Sequence, residues 1–75
     1  MPISEQAARR AVSEEIRRSI ADAILRADWI RTRYDAVQIA RAHATSGISP
    51  QEVADELIQA AIHAGVPVEI SRPAA

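Results

Sequence analysis

The stretch from Ser13 to Ala44, SEEIRRSIADAILRADWIRTRYDAVQIARAHA, decides the fold, because its apolar side chains recur at the spacing of an α-helix. Seven of them form one long stripe, which consists of Ile16, Ile20, Ala23, Ala27, Ile30, Tyr34 and Val37. A second, shorter stripe on another side of the helix consists of Leu25, Trp29, Ala36 and Ile39. One partner surface cannot cover both stripes, so the pattern predicts a helix that is buried from two directions.

The composition limits the chain to one small domain. With 75 residues it lies near the size at which a single hydrophobic core is marginal, so a second chain would add much to its stability. The absence of cysteine excludes disulfides and thiolate chemistry. The first residues lack the basic start and apolar run of a signal peptide, and no run approaches the length of a membrane span. We therefore expect a soluble, cytoplasmic protein.

We expect an all-α fold in which all 75 residues form a single helical domain. The first helix is predicted over about residues 4–31, with Ser4 as its N-cap, and the second over about residues 33–46. A capping-box match from Thr32 to Asp35 favours a break between these helices. The uninterrupted long stripe favours one continuous helix instead, so both alternatives stay open.

A third helix is predicted over about residues 50–64 by the clearest local signal in the chain. Ser49 is its N-cap, proline occupies the first helical position and Glu52 the third. Gly47 ends the preceding segment and Gly65 ends the third helix. Because the corner between them is short, the third helix is expected to run antiparallel to the preceding segment.

The extended tail, residues 66–75, alternates apolar and polar side chains as a short strand would. Pro67 lacks a backbone donor, which restricts the segment to an edge position. Three alternatives stay open: a strap along the helices, a disordered end, and β-addition to a partner or a second copy.

The unequal lengths of these elements predict self-association. At 1.5 Å per residue the third helix covers about 22 Å, whereas the long stripe spans close to 48 Å if it is continuous. The end of the stripe that holds Val12, Ile16 and Ile20 should overhang even if the helix breaks near Thr32, because the first helix still outreaches the later ones. The sequence therefore predicts a helical bundle that is formed by oligomerisation, a homodimer or a higher oligomer, through Val12, Ile16, Ile20, Ala23, Ala27 and Ile30.

The shorter stripe supplies the best candidate for binding another protein. Trp29, with Leu25 and Ile39 beside it, resembles the compact apolar anchor of a typical interface hot spot. The alternative for Trp29 is a core position under the third helix.

No arrangement of side chains indicates catalysis, a metal or a cofactor. His43 and His63 are too far apart along antiparallel helices to share a metal, and each is expected to have a structural or solvent-exposed role. Neighbouring carboxylates such as Glu14 and Glu15 point in different directions on a helix, so they do not form an acid/base pair. We expect no enzymatic activity and no small-molecule substrate.

Nucleic-acid binding is the alternative function. It would use the Arg-rich first helix, at Arg9, Arg10, Arg17 and Arg18, or the corner at Ile48, which weakly resembles a helix-turn-helix. Against it, the third helix would present Glu52, Asp55 and Glu56 to phosphates. The sequence thus favours a small protein-binding module, such as a regulator, an inhibitor or an assembly subunit, over a dimeric DNA-binding regulator.

Overall fold

A computed structural model describes residues 5–69, with side-chain exposure from residue 6 onward. It contains three α-helices: α1 (Glu5–Arg26), α2 (Thr32–Ala42) and α3 (Pro50–Ala64), and a short 3-10 turn, Ala44–Ser46, follows α2. The prediction of an all-α fold is confirmed over these residues. The predicted N-cap Ser4 and residues 70–75 of the predicted tail lie outside the described range.

Helix α1 ends at Arg26, five residues before its predicted end, although neither glycine nor proline interrupts it. The N–H of Ala27 donates to the carbonyl oxygen of Ile24 (3.2 Å), and that of Asp28 donates to Ala23 (2.9 Å). These two bonds form a Schellman cap, in which the residue after the helix is left-handed and is usually glycine. Here it is Ala27, with a φ of 51°. The break that the sequence left open therefore exists, but it precedes the predicted capping box.

Thr32 does not cap α2. It is the first residue of that helix, Arg31 occupies the N-cap position, and no side chain bonds to the cap. The Thr32 side chain is buried, and its hydroxyl donates to the carbonyl oxygen of Glu69. A buried hydroxyl needs such a partner, and here the partner comes from the far end of the chain.

The boundaries of α3 agree with the sequence. The Ser49 hydroxyl accepts from the N–H of Glu52 (3.1 Å), and the Glu52 carboxylate accepts from the N–H of Ser49 (3.3 Å). This reciprocal capping box fixes the start of the helix. Gly65 ends the helix with a φ of 71°, in the left-handed region that favours glycine.

One core of small and branched side chains lies between the helices. Its buried members are Val12, Ile16, Ile20, Ala23, Ile30, Ala36, Ile39, Ala40, Ile48, Val53, Ala54, Leu57, Ala61 and Val66. Helix α1 contacts α3, the 3-10 turn and α2. The apolar face of α1 is therefore covered by several later segments rather than by α3 alone.

This core overturns the predicted overhang. Val12, Ile16 and Ile20 are all buried within a single chain, as are Ala23 and Ile30. The length argument failed because α1 is shorter than expected, about 33 Å for its 22 residues, and because the 3-10 turn adds to the cover that α3 provides. The predicted self-association stripe is thus not an exposed surface. Ala27, its remaining member, is exposed but lies in the turn after α1.

The segment after α3 is a strap, over the part of it that the structure describes. Ile30 donates to the carbonyl oxygen of Pro67 and accepts from the N–H of Glu69, both at 2.9 Å, which pairs Ile30 with Val68 in a parallel bridge. Val66 is buried and Val68 packs against the core. The strap therefore closes the end of the core where α1 stops and α2 begins.

Candidate interaction surface

Five large apolar side chains are exposed among the described residues: Ile24, Leu25, Trp29, Tyr34 and Ile62. Three of them lie at the end of α1 and in the turn that follows it. Ile24 is 57% exposed, Leu25 85% and Trp29 44%. We name these three residues the α1-end patch. An exposed apolar cluster of this kind marks an interaction site more often than a single exposed leucine does.

Ile24 and Trp29 of the α1-end patch line an open groove of about 640 Å³. The groove lies between the end of α1 and the start of the strap, and it is lined by Ala23, Ile24, Ala27, Asp28, Trp29, Ala64, Gly65, Val66 and Pro67. Asp28 is the one charged residue in this lining. Most of the others are small and apolar, so a partner can approach the backbone closely.

Backbone strain occurs in the same place. Ala27 lines the groove in a left-handed conformation, which costs a non-glycine residue about 1–2 kcal/mol. The Schellman bonds and the bond from the Trp29 N–H to the Asp28 carboxylate (2.8 Å) hold the turn in this shape. Strained positions are concentrated at functional sites in proteins. The turn orients Trp29 toward the groove.

Trp29 also lines a polar cleft that shares Ala23 and Asp28 with the groove. This cleft holds two arginines and three aspartates, Arg26, Arg31, Asp22, Asp28 and Asp35. The guanidinium carbon of Arg31 lies 5.8 Å from the centre of the Trp29 ring, within the range of a cation–π contact. Partial burial raises the pKa of Asp35, an effect that the N–H and the charge of Arg31 oppose.

The structure divides the predicted partner-binding residues. Leu25 and Trp29 are exposed together, but Ile39 is buried in the core on α2. The break after Arg26 explains this division, because it turns α2 in a new direction and sends the rest of the shorter stripe inward. Trp29 is therefore not a core residue under α3, which was the alternative.

Sequence reasoning missed three features of the surface. Ile24 belongs to neither apolar stripe, and it was not singled out. Tyr34 was placed in the long stripe, yet it is 64% exposed and lies beside a separate groove that includes Arg33 and Val37. The contribution of Gly65 and Pro67 to the groove depends on the return of the chain to Ile30. No local pattern in the sequence predicts that the segment after α3 returns to Ile30.

The arginines of the nucleic-acid alternative lie along α1. Arg10, Arg17 and Arg18 are exposed, and Arg18 contacts Glu15 at 3.3 Å. Arg9 contacts Glu52 at 3.5 Å. Arg17 shares a shallow groove with Asp55 and Glu56 of α3. Arg9, Arg17 and Arg18 thus each have an acidic neighbour.

Neither histidine lines the groove. His43 follows α2 as its C-cap, and its N–H donates to the carbonyl oxygen of Ile39 at 3.1 Å. His63 is exposed on α3, with its Nδ1 2.8 Å from the carbonyl oxygen of Gln59. Within residues 5–69, no group of three histidine or acidic side chains is placed to hold a metal. Over the same residues, no helix has the length and apolar character needed to cross a membrane.

Comparison with known proteins adds no relative from which a role could be transferred. No family model matches the chain, and neither the curated proteins nor the solved structures provide a match.

Proposed function

We propose that this chain is a non-enzymatic protein-binding module, a small regulator, inhibitor or assembly subunit, and that the α1-end patch with its groove is the docking surface. One observation carries the proposal. Ile24 and Trp29 are exposed large apolar side chains that line one largely apolar groove, and Leu25, the neighbour of Ile24 in the sequence, is 85% exposed.

The energetics favour a partner at this surface. Ile24, Leu25 and Trp29 are 57%, 85% and 44% exposed, so a partner that covers them removes apolar area from water. Covering that area is worth several kcal/mol at about 25 cal/mol per Å². Tryptophan is among the residues that most often dominate binding energy, especially where its neighbours exclude water. Trp29 is therefore the expected anchor, and Leu25 the expected second contact.

The chemistry of the lining defines the kind of partner. The groove offers small apolar residues and one carboxylate, Asp28, whereas the adjoining cleft offers both signs of charge. A protein segment with protruding aliphatic side chains and charged flanks matches this arrangement. A phosphate backbone does not, because Asp22, Asp28 and Asp35 would repel it.

The nucleic-acid alternative has less support. Exposure of Trp29 and Tyr34 would allow stacking on bases. However, acidic side chains lie beside Arg9, Arg17 and Arg18, and α3 exposes Glu52, Asp55 and Glu56. A duplex-binding surface would need these positive charges to act without local acids.

Site-specific photo-crosslinking in the native host tests the proposal. A photo-reactive amino acid replaces Leu25 in one experiment and Ile62 in another, because both are exposed aliphatic residues on helices. We expect discrete protein adducts from position 25 that are absent from position 62. These adducts should disappear when Trp29→Ala is added. Absence of protein adducts at position 25, or the same adducts from both positions, would contradict the proposal, and nucleic-acid adducts would favour the alternative.

A further inference from the structure

We infer that the groove binds a short protein segment in which an aliphatic side chain stands beside an arginine or a lysine. The aliphatic side chain lies against Trp29 in the groove, and the basic group binds Asp28, which lines both the groove and the polar cleft. The inference rests on the proposed function of this surface, and it adds the sign of the charge that the partner carries.

The charges of the polar cleft do not cancel. The carboxylate of Asp22 pairs with Arg26 at 3.3 Å. The cleft lining also contains two further carboxylates, Asp28 and Asp35, but only one further guanidinium, that of Arg31. One negative charge is therefore in excess, and a surface of one sign selects a partner of the opposite sign.

Arg31 is shared between the cleft and the ring of Trp29. Its guanidinium carbon lies 5.8 Å from the centre of that ring. Partial burial raises the pKa of Asp35, the N–H and the charge of Arg31 oppose this rise, and the charge of Asp28 adds to it. The two carboxylates thus repel each other, and a basic group of the partner at Asp28 offsets this repulsion.

The backbone around the groove has the same polarity. The last turns of two helices reach the lining, where α1 contributes Ala23 and Ile24 and α3 contributes Ala64. The C-terminal end of a helix has a partial negative charge, because its last carbonyl groups have no partner within the helix. Asp28 is the one charged residue among the described residues that line the groove, so no basic side chain in this lining offsets that charge.

The rest of the lining favours an aliphatic side chain on a short segment. Ala27, Ala64 and Gly65 present no side chain larger than a methyl group, which leaves room beside the ring of Trp29. A folded partner usually buries roughly 800 Å² on each side, whereas a short segment needs only the groove and the cleft. In an extended segment, residues follow one another at about 3.3 Å, so neighbouring side chains can reach both.

Selection from a random peptide library displayed on phage, with the purified full chain as bait, tests the inference. We expect the enriched peptides to contain an aliphatic residue with arginine or lysine within about two positions of it. Enrichment that is indifferent to charge, enrichment of acidic peptides, or no enrichment would overturn the inference.

Two substitutions in the chain test where the basic residue binds. In Asp28→Asn the amide oxygen can still accept the hydrogen bond from the N–H of Trp29, so the turn keeps its shape. This substitution should weaken binding of an enriched peptide about fivefold, the upper end for a surface ion pair. Asp35→Asn should weaken it too, independently of the turn. Glu14→Gln is the matched control, because it removes an exposed acid of α1 outside the groove and the cleft.

The corresponding change in the peptide completes the test. When glutamine replaces its basic residue, Asp28→Asn should have no further effect on binding. Equal losses in Asp28→Asn and Glu14→Gln would overturn the inference, because attraction to the net charge would then explain the binding. If enriched peptides lack a basic preference but protein adducts form at position 25, this inference fails and the proposed function stands. If no protein adducts form at position 25, both fail.

Discussion

Two isoleucines on α1 have opposite environments. Ile16 is 3% exposed and lies in the core, whereas Ile24, two turns further along, is 57% exposed beside an open groove. Both belong to one helix of 22 residues, and both have the same side chain. The difference shows that the apolar character of a helix residue does not decide its burial. What decides it is whether a later segment returns to cover that side of the helix.

The two ends of α1 differ in the segments that return to them. Helix α3 and the 3-10 turn contact α1, and Val12 and Ile16 on α1 are buried. Near the end of α1, the returning segment is the strap, which pairs with Ile30 and buries Val66. The strap closes the core but leaves Ile24 and its neighbours on the outside.

The largest expected effect on stability comes from truncating Ile16, and the same truncation of Ile24 is the control. Ile16→Ala should lower the free energy of unfolding by about 2–5 kcal/mol, because it leaves a cavity in a packed core. Ile24→Ala should change it by no more than about 0.5 kcal/mol, because that side chain is exposed. Urea denaturation measures both. Equal effects would contradict the difference between the two environments.

Concentration dependence tests whether a single chain covers Ile16 by itself. If it does, the midpoint of thermal unfolding should not change with protein concentration. A midpoint that rises with concentration would show that the Ile16 end of α1 needs a second chain.

The next effect concerns the strap. Thr32→Val removes the hydroxyl that donates to Glu69 and leaves that carbonyl oxygen without this bond. The expected loss in the free energy of unfolding is about 0.5–1.5 kcal/mol, since one part-buried hydrogen bond is removed. Hydrogen exchange of the Glu69 amide, which donates to Ile30, should accelerate in the same variant. Unchanged exchange would mean that Thr32 does not hold the strap.

A smaller effect, of opposite sign, is expected at the turn after α1. Ala27→Gly relieves the left-handed strain but adds freedom to the unfolded chain, so the net gain in stability should be about 0.5–1 kcal/mol. The equivalent substitution at Ala21, an exposed position inside α1, should instead destabilise by about 1 kcal/mol. Destabilisation at both positions would contradict the turn geometry.

The smallest effect concerns pH at the start of α3, where the Glu52 carboxylate accepts hydrogen bonds from the N–H of Ser49 and from Arg9. The N–H of Ser49 and then the charge of Arg9 lower the pKa of Glu52. Stability from this carboxylate is present above its ordinary pKa and is lost as pH falls through the lowered value. Glu52→Gln should therefore flatten the acid side of the stability profile slightly, while an amide still fits the capping box. An unchanged profile would contradict this role.

The boundaries of α3 were predictable from the sequence, whereas the end of α1 and the segments that cover each helix face were not. The Ser49 capping box and Gly65 identified α3, because their hydrogen bonds lie within a few residues. The end of α1 was not predicted, because the Schellman cap at Ala27 is formed by backbone hydrogen bonds. The glycine that usually marks such a cap is absent there. The strap depends on a bond between residues 37 positions apart, Thr32 and Glu69.

The candidate surface was predictable only in part, for the same reason. Leu25 and Trp29 were identified as a compact apolar pair, and the structure leaves both exposed. Ile39 was grouped with them on the assumption of a continuous helix, and the break removed it from the surface. Five of the six residues assigned to self-association are buried in the core, all except Ala27, because periodicity identifies an apolar face but not what covers it.

The fluorescence of Trp29, the only tryptophan in the chain, tests most directly whether the end of α1 is where this protein makes contact. Emission and acrylamide quenching are measured for the wild-type chain alone and with the protein that is cross-linked at position 25, and again for Leu25→Ser. We expect emission at shorter wavelength and weaker quenching when the wild-type chain binds that protein, and a smaller change for Leu25→Ser. Constant fluorescence of the bound wild-type chain would contradict the assignment of the contact to this surface.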